Sequence, residues 1–305
     1  MSHWIILILI YLNAIQKEEK SMRKLKLISM ITALMFMLTV GSAIAGQCKA
    51  SYGEGTVVRL ATGSPGELGL LKVLADVFND EHNTRLCWVK AGSGKSLKLL
   101  KAKEVDAVMV HAPAAEKKAV ADGWAIDRTL IGSNEFYIVG PKSDPAGIAK
   151  ATSAAQAYAA IAKAQVPFLS RGDNSGTHKK EMAIWKKAGV APKGDWYRIT
   201  KDFMMATLKQ ANESNGYFMT DSSTWVAGKR DLGNLTVLFK GDPMLINTYH
   251  GLCQPKGATE SQELAKAFIE FLGSDQGQSV IRDYGRDLYG EAMYNDAVYA
   301  AKYDH

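Results

Sequence analysis

Three times in this chain an apolar, strand-like run ends in a short loop of glycine and hydroxyl residues that opens into a helical pattern. Thr56-Val57-Val58-Arg59-Leu60-Ala61 leads into Thr62-Gly63-Ser64-Pro65-Gly66, after which Leu71, Leu74, Ala75 and Phe78 recur at helical spacing across 68–81. A strand over 85–90 leads into Ala91-Gly92-Ser93-Gly94 and a helix over 96–103. A strand over 166–170 leads into Arg171-Gly172-Asp173-Asn174-Ser175-Gly176 and a helix over 177–188. Such alternation specifies parallel sheets covered by helices, an α/β fold. Sheets of this kind bind ligands at the loops beyond the carboxyl ends of their strands.

The remaining pattern divides the chain. Strands are expected over 106–111, 216–220 and 235–239, with helices over 153–164 and 203–212. The segment 249–253 returns the chain to the first half, whose last helix covers 260–272. The expected architecture is two lobes, 51–138 with 249–290 and 139–248, each with a mostly parallel sheet, followed by a tail at 291–305. Two crossings, at Gly140-Pro141 and Tyr249-His250-Gly251, form a hinge across a cleft. A monomer is expected.

The first 45 residues read as an export signal. Met22-Arg23-Lys24-Leu25-Lys26 is a positive region, 27–40 is apolar, and Gly41-Ser42-Ala43-Ile44-Ala45 supplies an A-x-A cleavage pattern. Translation is expected to begin at Met22, with 1–21 an extension, and cleavage after Ala45 places the protein in the periplasm. The earlier apolar run, 4–12, is too short to span a bilayer. Setting aside five basic and two acidic residues before Ala45 leaves 32 basic and 29 acidic, a net charge of +3. That balance, with no basic stripe interleaved with aromatics, excludes a nucleic-acid partner. Of the three cysteines, Cys48, Cys87 and Cys253, an oxidising compartment permits one disulfide and leaves one thiol. Cys87 and Cys253 read equally as a bridge or as two small buried hydrophobes.

The loops carry the chemistry. Unpaired amides at a helix N-terminus bear positive partial charge and favour an anion. In 170–177, Ser170, Ser175 and Thr177 offer hydroxyl protons, Gly172 and Gly176 allow close backbone approach, and Arg171 brings a fixed cation with several donors. Asp173 is expected to orient Arg171 or to accept backbone N–H groups, and His178 to pair with a carboxylate. Gly94-Lys95-Ser96 resembles the end of a phosphate-binding loop, but Val89 stands where that motif requires glycine. Neither G-x-S-x-G nor H-E-x-x-H occurs, so no catalytic residue, metal-cation site or cofactor is expected. His111 reads equally as a ligand donor or as a brace before Pro113. Tyr217, Trp225 and Tyr249 read as core.

Several longer passages add a resemblance. They are Val110-His111-Ala112-Pro113, Val139-Gly140-Pro141-Lys142-Ser143-Asp144-Pro145-Ala146-Gly147-Ile148, and Ser170-Arg171-Gly172-Asp173-Asn174-Ser175-Gly176-Thr177-His178-Lys179-Lys180-Glu181. Gly194-Asp195-Trp196-Tyr197 and Gly241-Asp242-Pro243 join them. In these the chain resembles the periplasmic tungstate-binding proteins of TupA type, components of bacterial ABC importers, from about Val57 to Gly285. The resemblance implies a type II periplasmic binding protein fold and a permease partner in the cytoplasmic membrane. It also implies a bound oxyanion, tungstate or a relative such as molybdate. Arg171 carries over as the main cationic ligand, with Thr62, Ser64, Ser93, Ser175 and Thr177 as donors and Gly63 and Gly176 as backbone positions. Two departures stand out. The first loop, Thr62 to Gly69, has fewer hydroxyls than the family's, and Thr220-Asp221-Ser222-Ser223-Thr224 lacks the family's arginine. They leave a small organic anion such as a carboxylate as the alternative ligand, and a sensory binding protein as the alternative role.

Overall fold

Ten strands are described in a computed structural model that covers residues 47–304: β1 (Ala50–Gly53), β2 (Thr56–Thr62), β3 (Thr84–Lys90), β4 (Ala107–Val110), β5 (Ile126–Pro141), β6 (Phe168–Ser170), β7 (Tyr197–Ile199), β8 (Tyr217–Asp221), β9 (Leu235–Phe239) and β10 (Ile246–Cys253). The export signal and the cleavage position after Ala45 lie outside the described residues. The strand order is β1-β3-β2-β4-β10-β5-β8-β6-β7, with β9 also on β5.

β5 joins the two halves of this sheet. Ile126 to Glu135 pair with β10, whereas Phe136 to Pro141 pair with β8 and β9. In the first half β2 runs parallel to β3 and β4, and in the second β6 runs parallel to β7 and β8. The strands that carry the glycine–hydroxyl loops are therefore parallel, as expected. β5 and β10 are antiparallel to each other because one leaves the first half and the other returns to it.

Each half has its own core. Leu71, Leu74, Ala75 and Phe78, the residues at helical spacing, are buried against Phe268 and Leu272 in the first half. In the second half Tyr158 packs 4.3 Å from Trp185, beside Phe168 and Phe218. Each large side chain buried in this way contributes roughly 1.5–3 kcal/mol.

β1 was not expected from the sequence. It lies antiparallel on β3 with Ser51 opposite Cys87, which brings Cys48 to Cys87 with a Cα separation of 5.3 Å. The disulfide is Cys48–Cys87, and Cys253 is a buried free thiol. The tail is fastened at the crossing strands. Asn295 forms a β-bridge with Ser133, and Asp304 reaches Arg128 at 3.0 Å and His250 at 3.1 Å.

Candidate functional site

The three loops converge. Gly63, Ser64, Pro65, Gly92 and Ser93 from the first half meet Arg171, Ser175 and Phe203 from the second, with His111 and Tyr249, around one small, partly open cavity. It measures about 10 Å³, room for the centre of a single water-sized sphere. The halves touch at this point. A Cβ on Gly92 would stand 3.3 Å from that of Ser175, and one on Gly94 would stand 3.0 Å from the Asn174 carbonyl oxygen.

The loop after β6 is shaped by its own residues. Gly172 and Asn174 adopt left-handed φ values of 57° and 58°, which curl the chain back. A side chain at Gly172 would strike Ile199 at 2.3 Å. Asp173 accepts from Arg171 Nη2 at 2.5 Å and from the Ser175 amide at 3.1 Å, the orienting role expected of it. Burial opposes ionisation of Asp173, but the Arg171 charge and donation from Ser175 outweigh it and hold the carboxyl below its ordinary range. Arg171 itself is 4% exposed, and its buried Nε has no hydrogen-bond partner. Its guanidinium carbon lies 5.4 Å from the Phe203 ring, and Lys90 Nζ lies 4.1 Å from the same ring, giving two cation–π contacts.

Ser175 caps the helix Gly176–Lys187, accepting from the His178 amide at 3.3 Å. The amides of Gly176 and Thr177 are left without an intrahelical acceptor. Thr177 is 1% exposed, and its Oγ1 is also unpartnered. In the first half the helix begins at Ser93, three residues earlier than expected, so Gly92 is the cap position. Ser93 Oγ accepts from the His111 amide at 3.1 Å.

Other expected donors are already committed. Thr62 Oγ1 donates to the Met109 carbonyl at 2.9 Å, and Thr62 is not among the cavity-lining residues. Ser170 Oγ donates to Glu181 at 2.8 Å. Ser64 lines the cavity but directs its hydroxyl to Asp221 Oδ2 at 3.3 Å. His178 takes no carboxylate; its Nδ1 accepts from the Asn174 amide at 3.0 Å and closes the loop locally. His111 lines the cavity and bonds Asn247 Oδ1 through Nδ1 at 2.8 Å. Burial holds its pKa down to about 4, so the ring is neutral near pH 7.

Phe203, Tyr249 and Asp221 were not read as site residues. Phe203 occupies the cap position of the helix Met204–Ser214, where no sequence pattern marks it. Tyr249 is core, as expected, and also lines the cavity. Asp221 was legible: an aspartate at a strand end, three residues before a threonine, caps the next helix. Beside the cavity lies an open groove of about 450 Å³ lined by His111, Gly176, Lys179, Lys180, Met244 and several alanines. It is larger but mostly apolar in its lining, and Arg171, whose buried Nε is unpartnered, lines the smaller cavity instead. Among the described residues no group of three or more His, Cys, Asp or Glu side chains is arranged to hold a metal ion.

Two lobes joined by antiparallel crossing strands, with donor loops of both meeting at one small cavity, define a solute-binding protein of the type II periplasmic class. A PBP superfamily domain matches residues 49–276. A tungstate-binding protein TupA of Peptoclostridium acidaminophilum is 33% identical over 279 residues, 88% of this chain and 97% of that protein. Among solved structures, the tungstate ABC transporter protein from Geobacter sulfurreducens is 40% identical with a TM-score of 0.68, covering 75% of this chain and 98% of that one. The tungstate-binding protein TupA from Desulfovibrio alaskensis G20 is 36% identical with a TM-score of 0.67, covering 79% and 99%. The chain belongs to the PBP superfamily and, within it, to the tungstate-binding proteins of TupA type.

Proposed function

We propose that this protein is the extracytoplasmic binding component of an ABC importer and that it captures tungstate, or a related oxyanion such as molybdate, in the cavity between its lobes. The observation that carries the reading is Arg171, a buried guanidinium that lines the cavity and has an unpartnered Nε. A buried polar group without a partner costs stability, and an anion that accepts from it removes that cost. A fully ionised oxyanion offers acceptors only, which matches a set of amides, hydroxyls and one arginine. The relatives named for tungstate and for ABC transport support the same reading.

On this reading the protein acts by binding and release, not by catalysis. Residues 22–45 direct export and are removed, and a permease in the cytoplasmic membrane receives the anion. The lobes open about β5 and β10 and close on the ligand, which stabilises the closed state by mass action. Native mass spectrometry of the mature protein, with tungstate, molybdate, sulfate and acetate in competition, tests the ligand. Retention of tungstate or molybdate over sulfate and acetate is expected; preference for acetate would overturn the assignment.

A further inference from the structure

We propose that Asp221 is a proton-linked positioning residue: anion binding draws a proton from solvent onto its carboxylate, and this turns the Ser64 hydroxyl from Asp221 toward the anion. The proposal rests on the anion-binding reading above. It starts from a conflict in the donor set. Ser64 lines the cavity, but a hydroxyl has a single proton, and that of Ser64 is given to Asp221 Oδ2 at 3.3 Å. Toward an anion Ser64 then presents only lone pairs, and it repels the ligand that its position suits.

Asp221 is 1% exposed. Its Oδ1 accepts from the Thr224 amide at 2.7 Å, and its Oδ2 accepts from Thr224 Oγ1 at 3.1 Å as well as from Ser64. The groups acting on it come from every neighbouring element. Ser64 approaches from the first lobe and Thr224 from its own helix. Arg171 exerts its charge from the loop after β6, Tyr249 faces it from β10, and Tyr294 faces it from the tail. Neutral His111 lies behind Tyr249, with ring centroids 4.9 Å apart.

Three donated hydrogen bonds and the charge of Arg171 favour the ionised carboxylate, but burial outweighs them and raises its pKa above the ordinary range. A bound dianion engages Arg171 and adds negative charge nearby, and both changes favour the protonated form. The balance is simple. Water or buffer supplies the proton, Asp221 Oδ2–H then donates to Ser64 Oγ, and the Ser64 proton is free to bond the anion. Asparagine at this position reproduces the bonding of the protonated acid, with an amide donor for Ser64 and a carbonyl acceptor for the Thr224 amide.

Titration calorimetry of the mature protein with sodium tungstate, in two buffers of different ionisation enthalpy near pH 8, measures the proton directly. Wild type is expected to take up about one proton per anion, and its affinity to fall about tenfold per pH unit on the alkaline side. Asp221→Asn is expected to bind with no uptake and no alkaline decline. Tungstate binding by wild type with the same enthalpy in both buffers overturns the proton link and leaves the anion reading intact. Failure of wild type to bind tungstate overturns both. Uptake that persists in Asp221→Asn but is lost in His111→Gln assigns the proton to His111 and also overturns the proposal. If Asp221→Asn fails to fold, the wild-type comparison between buffers decides alone.

Discussion

The His111 ring covers Gly176 so closely that a Cβ on Gly176 would lie 2.5 Å from the His111 Cε1 and 2.8 Å from its carbonyl oxygen. These two residues belong to opposite lobes, and the contact brings the helix N-terminus at Ser175 to the cavity. The backbone oxygen cannot swing aside as a flexible side chain would. Gly176→Ala is therefore expected to hold the lobes apart and to weaken anion binding by about 1–3 kcal/mol, the usual cost of overpacking. Gly92→Ala, whose new methyl would meet Ser175 at 3.3 Å, should cost less. Calorimetric affinities of the two variants check the order; equal losses would contradict it.

The Cys48–Cys87 disulfide closes a loop of 39 residues that contains β1, β2 and most of β3. Constraint of the unfolded chain by a loop of this length is worth about 4 kcal/mol. Cys48→Ser with Cys87→Ser is expected to lower the thermal midpoint by roughly 10 °C. Anion affinity should be nearly unchanged, because neither cysteine reaches the cavity. Differential scanning calorimetry with and without ligand measures both effects.

Much of this arrangement is written locally, and some of it is not. The parallel strands β2, β3 and β6 and the loops after them follow from apolar runs punctuated by glycine, and Leu235–Phe239 matches its expected strand end to end. β5 was not read as a strand; only the crossing at Gly140-Pro141, at its end, was marked. Its first ten residues include Asp127, Arg128, Asn134 and Glu135, and they form a strand because distant partners satisfy them. Asn134 bonds Ser223 at 2.9 Å and Asn247 at 2.8 Å, and Arg128 meets Glu116 and Asp304. In the site, Arg171 and Ser175 line the cavity and Ser175 caps the helix after it, whereas Thr177 is buried in that helix and is not among the lining residues. Thr62 and Ser170 were read as ligand donors because a sequence shows a hydroxyl and not its acceptor. Met109 and Glu181, which take those protons, arrive from other elements.

Glu181 braces the binding loop from behind and makes stability depend on pH. It accepts from Ser170 at 2.8 Å, from Tyr197 at 2.6 Å and from Trp185 at 3.2 Å, and burial raises its pKa to about 7. The folded state therefore holds a proton that the unfolded state, near its ordinary value of 4.5, has released. This contribution is complete below about pH 4.5 and is lost as pH rises toward 7. Over that window it amounts to roughly 3 kcal/mol at 1.4 kcal/mol per unit. Urea unfolding between pH 5 and pH 8 should show wild-type stability falling relative to Glu181→Gln, whose uncharged amide does not titrate. Parallel profiles for the two proteins would contradict this assignment.

The central claim is that the Arg171 guanidinium holds the anion. It is the only arginine in the three donor loops, and it does not lose its charge under ordinary conditions. Its charge-assisted bond in a partly closed cavity is stronger than one from a neutral hydroxyl. Removing it also leaves Asp173 facing the ligand uncompensated. Arg171→Ala should therefore cost roughly 2–5 kcal/mol of binding free energy, by analogy with truncated buried charge pairs. Thr177→Ala should cost about 1 kcal/mol, since neighbouring amides remain. Arg171→Lys should also be impaired, because a flexible point charge lacks the planar fork. Titration calorimetry with tungstate on folded Arg171→Ala, its fold checked by circular dichroism, is the most direct measurement. The account predicts an affinity at least about thirtyfold weaker than wild type, and binding within about threefold of wild type would contradict it.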